Sequence, residues 1–215
     1  RTNINRQRMA KESTLGVRKD EALLREAYDI NPQIKVRSFP AGISEVNVKD
    51  FLEGIDWVVD VVDVFALKEK LALNAEAHRR GLPLVSCGAL GFSGAVVVFD
   101  KNTPSFAELS GLDLSLPYET NIKRFLTFIC PEVPDYMKEQ MEKAMSRSSH
   151  IPFVVPGVEI AAAVATTEIV KQILNRGEVV RAPYGLFMDP MRVKTEIFEA
   201  SFKRLSKEGL LKKAS

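Results

Sequence analysis

Two aspartates three residues apart are the first candidates for chemistry in this sequence. Asp60 lies inside the β-branched run Trp57-Val58-Val59-Asp60-Val61-Val62, and Asp63 directly follows that run. A side chain at the carboxyl end of a strand in an α/β sheet lies where such sheets bind their ligands. For Asp63 the alternative is an N-cap of the next helix. For Asp60 it is a hydrogen-bonded structural or supporting role, because burying the carboxylate without a partner would be costly.

Cationic and amide side chains form a second candidate group near the start of the chain. Arg6 stands between amides in Asn3-Ile4-Asn5-Arg6-Gln7, and Lys19 follows it along the sequence. Taken singly, arginine and lysine are most often solvated surface residues. These residues therefore indicate a function only as part of a larger pattern.

Residues of the kinds that bind zinc or act as nucleophiles are few and scattered. Cys87, Cys130, His78 and His150 lack the paired spacing of a structural zinc site, so we expect no zinc. Cys130 follows the mostly apolar run Phe125-Leu126-Thr127-Phe128-Ile129, which would raise the pKa of its thiol. We expect both cysteines to be structural.

The elements that would position these residues alternate between strand and helix. The run from Trp57 to Asp63 predicts a strand buried on both faces, the kind found in parallel sheets. A helix from about Ala66 to Arg80 and a strand from Leu82 to Ser86 complete a βαβ unit. This alternation predicts an α/β fold with a doubly wound, mainly parallel sheet.

Further elements follow from periodicity and from helix-breaking residues. We predict a helix from Asp20 to Asn31-Pro32, a short strand from Ile34 to Phe39, a bend around Gly88 to Gly94, a long helix from Val158 to Leu174, and a closing strand pair from Tyr184 to Phe198 that turns at Asp189-Pro190. The glycine-rich bend lies between two strands, so it lacks the helix N-terminus of a phosphate loop.

Charge and hydropathy exclude several classes of protein. The 215 residues carry 30 Lys and Arg against 28 Asp and Glu, a formal net charge of +2, which gives no global attraction to nucleic acid or to an anionic membrane. The longest uncharged run, Gly81 to Phe99, is broken by glycine and proline, so it does not predict a membrane span. No apolar leader opens the sequence, and we expect a cytoplasmic protein.

We expect one main domain, residues 1–200, followed by a basic tail, residues 201–215.

Taken together, the candidate residues form a composite pattern. Its parts are Asn3-x-x-Arg6-Gln7, Gly16-x-x-Lys19, Asn31-Pro32, Asp60-x-x-Asp63 and Pro83-Leu84-Val85. In order and spacing this pattern resembles the superfamily of ThiF, MoeB and the adenylation domains of ubiquitin-activating enzymes. The resemblance is specific from Thr2 to about Phe99 and continues more weakly to about Asp189.

The resemblance implies a Rossmann-like fold and an ATP- and magnesium-dependent enzyme. Such enzymes adenylate a carboxylate, typically the C-terminus of a small ubiquitin-like or sulfur-carrier protein, and release pyrophosphate. They are usually homodimers, and the apolar helix from Val158 offers a surface for a second copy. The attacking carboxylate is already ionised at neutral pH, so the reaction needs no general base.

The resemblance also implies a role for each candidate residue. Arg6 and Lys19 would be the catalytic cations that bind ATP and stabilise charge on its phosphate oxygens. Asn3 and Gln7 would hydrogen-bond a phosphate or orient Arg6. Asp63 would be catalytic by supplying the hard oxygen ligand that magnesium prefers.

Several positions depart from the family pattern. The glycine-rich phosphate loop and the acidic residue that holds the ribose would precede Asn3, where this sequence has only Arg1 and Thr2. We therefore expect the first strand-loop-helix unit to be missing from this chain, and the chain alone to bind ATP poorly. Val64 follows Asp63 where many relatives carry Asn, and Lys68 stands where an Arg is often found.

Three other functions stay open at this point. A chain without the phosphate loop would suit a non-catalytic dimerisation or scaffold subunit of an activating-enzyme pair. An NAD-dependent oxidoreductase shares the fold but explains neither Arg6 nor Lys19. A related dehydratase that acts on modified tRNA is not favoured by the near-neutral charge of the chain.

Overall fold

The computed structural model describes residues 3–145 and 153–204 of the chain, which divides into two compact units, residues 1–43 and 44–215. Most of the predicted basic tail, residues 205–215, lies outside the described residues. Across the part of the chain that is described, no helix has the length and apolar character needed to cross a membrane.

The first unit contains one long helix. After a short 3-10 helix (Glu12–Thr14), helix α1 (Lys19–Ile30) ends at Asn31, as predicted, because the proline that follows disfavours helical backbone at that residue. The predicted strand from Ile34 to Phe39 is wrong, since these residues have no regular structure. A strand needs a neighbour to satisfy its backbone, and no strand lies among the described residues of this unit.

The second unit begins with a short helix and the predicted βαβ unit. After helix α2 (Val48–Phe51), strand β1 (Val58–Asp60), helix α3 (Leu67–Arg79) and strand β2 (Leu84–Leu90) follow one another, and β1 pairs with β2 in parallel. Strand β1 is shorter than predicted because the side chain of its last residue accepts the backbone N–H two residues later and turns the chain.

Burial of β1 on both faces is a prediction that is wrong. Val59 is 46% exposed, whereas the residues on either side of it in β1 are buried. Strand β1 is the edge of the described sheet. Helix α7 (Val155–Ile173) packs on β2 and on the next strand of the sheet, away from this edge.

The remaining strands are antiparallel. Strands β3 (Ser93–Phe99), β4 (Tyr184–Asp189) and β5 (Lys194–Glu199) extend the sheet in the order β1-β2-β3-β4-β5. The α/β class, the glycine-rich bend between β2 and β3, and the closing pair of antiparallel strands are confirmed. The prediction that the sheet is mainly parallel does not hold among the described strands: β1–β2 is a parallel pair, and each later connection between neighbouring strands reverses the chain direction.

Helices cover both faces of the sheet. Helix α7 buries Ala165 against Val85, Val96 and Val98 on one face. Helices α4 (Phe106–Ser110) and α5 (Tyr118–Ile129) cover the other face through an aromatic cluster formed by Phe99, Phe106 and Phe128. Helix α6 (Lys138–Met145) follows α5. The sheet therefore has a core on each side, and the β1–α3 loop lies at the carboxyl end of the first strand.

Candidate functional site

Asp63 lies in the loop between β1 and α3, and its side chain is exposed. Its Oδ1 accepts the backbone N–H of Phe65 at 3.2 Å, and its carbonyl oxygen accepts the N–H of Ala66 at 2.9 Å. The N-cap interpretation is wrong, because the N-cap of α3 is Ala66 and no side chain caps the helix. No hydrogen bond to Oδ2 is found within the described residues. One carboxylate oxygen of Asp63 is thus open to a ligand.

The surroundings of Asp63 fit a magnesium ion held together with phosphates. Magnesium usually keeps several waters and is bound by one or two carboxylates plus substrate phosphates, rather than by a cage of protein ligands. The described residues contain no group of three or more His, Cys, Asp and Glu side chains that could hold a metal ion. A single exposed carboxylate, anchored through its other oxygen, fits the small share of ligands that magnesium takes from protein at such sites.

Asp60 is fully buried at the end of β1 and is satisfied by a network that the sequence analysis missed. Its Oδ2 accepts hydrogen bonds from the Lys70 ammonium at 2.8 Å, from the Asn74 side-chain amide at 2.9 Å, and from the Ser86 hydroxyl at 3.3 Å. Its Oδ1 accepts the backbone N–H of Val62 at 3.0 Å. The prediction that a buried Asp60 is hydrogen-bonded is therefore confirmed.

On α3, the lysine that pairs with Asp60 is Lys70 rather than Lys68. Lys68 is exposed, whereas Lys70 is 1% exposed and pairs with Asp60. Sequence spacing contained a signal for this, because Lys70 precedes the buried residues Leu73 and Ala77 by three and seven positions. Those intervals place all three side chains on one face of a helix.

In the first unit, the side chains of Asn3 and Asn5 accept hydrogen bonds from Arg6, whereas the side-chain oxygen of Gln7 does not. The guanidinium donates to Asn3 Oδ1 at 3.1 Å and to Asn5 Oδ1 at 3.0 Å. The backbone N–H of Gln7 donates to the carbonyl of Asn3 at 2.9 Å, which closes the turn. Gln7 Oε1 is buried and has no hydrogen-bond partner in the described chain. Asn3 thus orients Arg6, one of the two roles that the resemblance implied for it.

Lys19 is the first residue of α1, and its side chain is exposed. The ammonium makes no hydrogen bond or ion pair within the described residues, while neighbouring Arg18 is bound by both carboxylate oxygens of Asp20. Hydrogen bonds from Arg18 and then Ser38 lower the pKa of Asp20 to about 2. A cation at the positive end of a helix is unfavourable without a counter-ion. Within the described residues, the exposed ammonium of Lys19 is therefore available to contact an anionic ligand.

Cys130 is buried at the end of α5, as predicted. Burial raises the pKa of its thiol to about 12, and Sγ donates to the carbonyl of Glu132 at 2.7 Å. The Arg204 guanidinium donates to the Cys130 carbonyl at 2.7 Å, so the backbone is fixed as well. Cys87 is half-buried beside the core, and burial raises its pKa to about 11. Neither thiol has the environment of a reactive nucleophile.

Comparison with known proteins adds to this geometry. The chain is 27% identical over 113 residues to the molybdopterin-synthase adenylyltransferase of Haemophilus influenzae, covering 52% of this chain and 46% of that protein. It is 35% identical over 91 residues to the tRNA threonylcarbamoyladenosine dehydratase of the same organism, covering 42% of this chain and 34% of that protein. The chain thus spans less than half the length of these curated relatives.

Solved structures and a family model agree on the fold. Escherichia coli MccB in complex with MccA-N7isoASN superposes with a TM-score of 0.67 at 18% identity, covering 93% of this chain and 54% of that one. The complex of MccB with ATP gives a TM-score of 0.63 at 16% identity, covering 93% and 53%. At such identities the likeness establishes the fold alone. Residues 1–208 match the model of the ThiF family, and the chain therefore belongs to the ThiF family.

Proposed function

We propose that this protein uses ATP and magnesium to adenylate a carboxylate. The observation that carries the proposal is the ThiF family match, which spans residues 1–208 and so includes Arg6, Lys19 and Asp63. The adenylyltransferases among the relatives support the reaction class. The exposed, anchored carboxylate of Asp63 supports the use of magnesium.

In the proposed reaction, a carboxylate oxygen of the substrate attacks the α-phosphorus of ATP. A bond forms between these atoms, and the bond from the α-phosphorus to the bridging oxygen breaks. The electron pair leaves with pyrophosphate, and an acyl adenylate remains. Magnesium, when bound, neutralises charge on the phosphates.

Several residues of the chain stabilise the negative charge of the phosphates in this proposal. Arg6, held by Asn3, presents a rigid donor fork to phosphate oxygens, and Lys19 adds a compact charge. Gln7 contributes a further amide, next to Arg6 in the sequence, for a phosphate. Asp63 holds the metal ion through the oxygen that Phe65 leaves open. Such fixed charges stabilise a transition state better than reorienting water does.

For the substrate, we propose the C-terminal carboxylate of a small ubiquitin-like or sulfur-carrier protein. Relatives named as adenylyltransferases and sulfurtransferases, from Culex quinquefasciatus and Saccharomyces cerevisiae, support this class. A C-terminal carboxylate is ionised at neutral pH, so it is a competent nucleophile without a general base.

A modified tRNA is a second candidate substrate, favoured by the 35% identity to a tRNA threonylcarbamoyladenosine dehydratase. The threonine part of that nucleoside carries a free carboxylate, so either substrate would be activated at the same kind of group. The two candidates therefore share the chemistry proposed for Arg6, Lys19 and Asp63 and differ in the partner that delivers the carboxylate.

ATP–pyrophosphate exchange tests the reaction and separates the two substrates. The assay uses the protein as its gene encodes it, with radiolabelled pyrophosphate, ATP and magnesium. We expect exchange with purified carrier proteins that end in a free carboxylate and none with the same carriers amidated at the C-terminus. Exchange driven by threonylcarbamoyladenosine-containing tRNA, and not by unmodified transcripts, would instead favour the second candidate. No exchange with either class would contradict the proposal and favour a non-catalytic subunit.

We also propose a homodimer. The outer surface of α7 exposes Val155, Val170 and Ile173, and Leu174 follows at its end. Apolar side chains exposed along one helix are typical of surfaces that bury against a second copy. Light scattering over a dilution series should report twice the monomer mass, and a monomer at every concentration would contradict the proposal.

A further inference from the structure

The ammonium group of Lys70, on α3, is held by two hydrogen bonds and lies over two aromatic rings. The group donates to Asp60 Oδ2 at 2.8 Å and to the carbonyl oxygen of Val62 at 2.9 Å. It also lies 5.5 Å from the ring centroid of Phe106 and 5.2 Å from that of Phe125. With 1% of the residue exposed, this charge is shielded from bulk water.

The contacts of Lys70 fix the backbone directly before Asp63. The N–H of Val62 is held by Asp60 Oδ1, and its carbonyl is held by Lys70. That carbonyl belongs to the peptide group that joins Val62 to Asp63, so Lys70 sets the plane of this peptide group. Beyond Asp63, the turn to Phe65 and Ala66 fixes the other side of the residue. Hydrogen bonds therefore hold the backbone on both sides of Asp63.

We propose that Lys70 is a positioning residue for Asp63. By holding the Val62 carbonyl while paired with Asp60, it aims the Asp63 carboxylate at the metal ion without contacting that ion or the substrate. The inference rests on the proposed function, because it gives Asp63 the task of binding magnesium there. It goes beyond that function in naming the group that prepares the carboxylate before any ligand arrives.

A buried ion pair contributes little to the stability of a fold. The free energy lost when both charges leave water is about as large as the free energy gained from their attraction, and apolar residues of similar volume often stabilise a core more. The end of the Lys70 side chain lies over the rings of Phe106 and Phe125, so the end of a methionine side chain would meet apolar surface there. An apolar side chain could not hold the Val62 carbonyl. The ammonium group therefore contributes to the geometry of the β1–α3 loop, through its bond to the Val62 carbonyl.

The test is the double variant Lys70→Met/Asp60→Asn. Lys70→Met alone would leave the Asp60 carboxylate buried without its cation and could unfold the protein. In the double variant the introduced asparagine side chain can still accept the N–H of Val62, while the bond to the Val62 carbonyl is lost. The matched control is Glu168→Gln/Lys171→Met, which removes another ion pair with a buried carboxylate, 2.6 Å apart on α7.

Two readouts are used, and the first needs no ligand. Hydrogen–deuterium exchange should become at least about tenfold faster for the backbone amides of residues 61–66 in the double variant, with α3 itself still protected. The magnesium concentration that half-saturates ATP–pyrophosphate exchange should rise by about tenfold or more. The control pair should change neither quantity. A role confined to stability would lower the melting temperature and leave the half-saturating magnesium concentration unchanged.

The outcomes distinguish this inference from the proposed function. Faster amide exchange in the loop together with a higher magnesium requirement supports the inference. Unchanged protection of residues 61–66, or an unchanged magnesium requirement in an active double variant, overturns it and leaves the proposed function standing. A wild-type protein that catalyses no exchange overturns the proposed function and the inference with it.

Discussion

The substitution Asp63→Asn separates the chemistry of the β1–α3 loop from its folding. Asparagine has the same shape, and its amide oxygen can still accept the Phe65 N–H that Asp63 accepts at 3.2 Å. The side chain is exposed, so the free energy of unfolding should change by less than about 0.5 kcal/mol. What disappears is the negative charge that we propose to bind magnesium.

The expected loss of activity is large by comparison. Removing one preorganised charge from a transition state of this kind costs about a hundredfold to a thousandfold in rate. A hundredfold loss corresponds to about 2.7 kcal/mol, since each tenfold change is about 1.36 kcal/mol. Asp63→Asn should therefore reduce ATP–pyrophosphate exchange to about 1% or less, with a melting temperature close to that of the wild type.

Asp56 provides the matched control for this experiment. It is an exposed aspartate just before β1, at the opposite end of the strand from Asp63. Asp56→Asn removes the same charge from the same unit and should leave exchange unchanged. If Asp63→Asn keeps wild-type exchange with the same magnesium requirement, Asp63 is not the metal ligand. If Asp56→Asn loses as much activity, the effect is one of overall charge.

The remaining predictions concern Arg6, Cys130 and Glu76. Arg6→Ala should lower exchange by about tenfold or more, whereas Arg8→Ala, which removes an exposed arginine nearby, should not; equal losses would contradict a specific role for Arg6. Cys130→Ala should keep adenylation and transfer to an external nucleophile, and a thiol-sensitive thioester that is lost in this variant would refute the prediction. Hydrogen bonds from Arg79 and then Arg80 lower the pKa of Glu76 to about 2. Its contribution to stability is thus complete above about pH 4.5 and is lost as the pH falls towards 2, so urea titrations should show Glu76→Gln less stable than the wild type at pH 7, with a difference that vanishes near pH 2.

The sequence predicted those elements whose patterns are local or strongly apolar. The βαβ unit from β1 to β2 and the long helix α7 follow from β-branched runs, helical periodicity and breaking residues, and all of them form. In the segment from Ile34 to Phe39, apolar residues alternate with polar ones as they would in a strand, but no strand forms. Alternation shows only that a strand could have two different faces. Whether it forms depends on a neighbouring strand, which this segment does not have among the described residues of its unit.

The extent of β1 shows a second limit of pattern reasoning. The β-branched residues continue through Val61 and Val62, and propensity alone would extend the strand to Asp63. The strand stops at Asp60 because that side chain captures the backbone N–H of Val62. Such side-chain to backbone bonds compete with the sheet ladder for the same groups. One hydrogen bond therefore moves Asp63 from a strand end into a loop.

Asp60 and Lys70 each conflict with the pattern around them, and the two conflicts explain one another. An aspartate inside a buried strand needs a donor, and a lysine on the buried face of the next helix needs an acceptor. Because a crossover helix packs on the strands it connects, these two requirements predict a contact between the residues. The sequence could thus have indicated the pair that is observed at 2.8 Å. It could not have indicated the bond to the Val62 carbonyl, since every residue carries such a group and only the path of the chain brings this one to the ammonium.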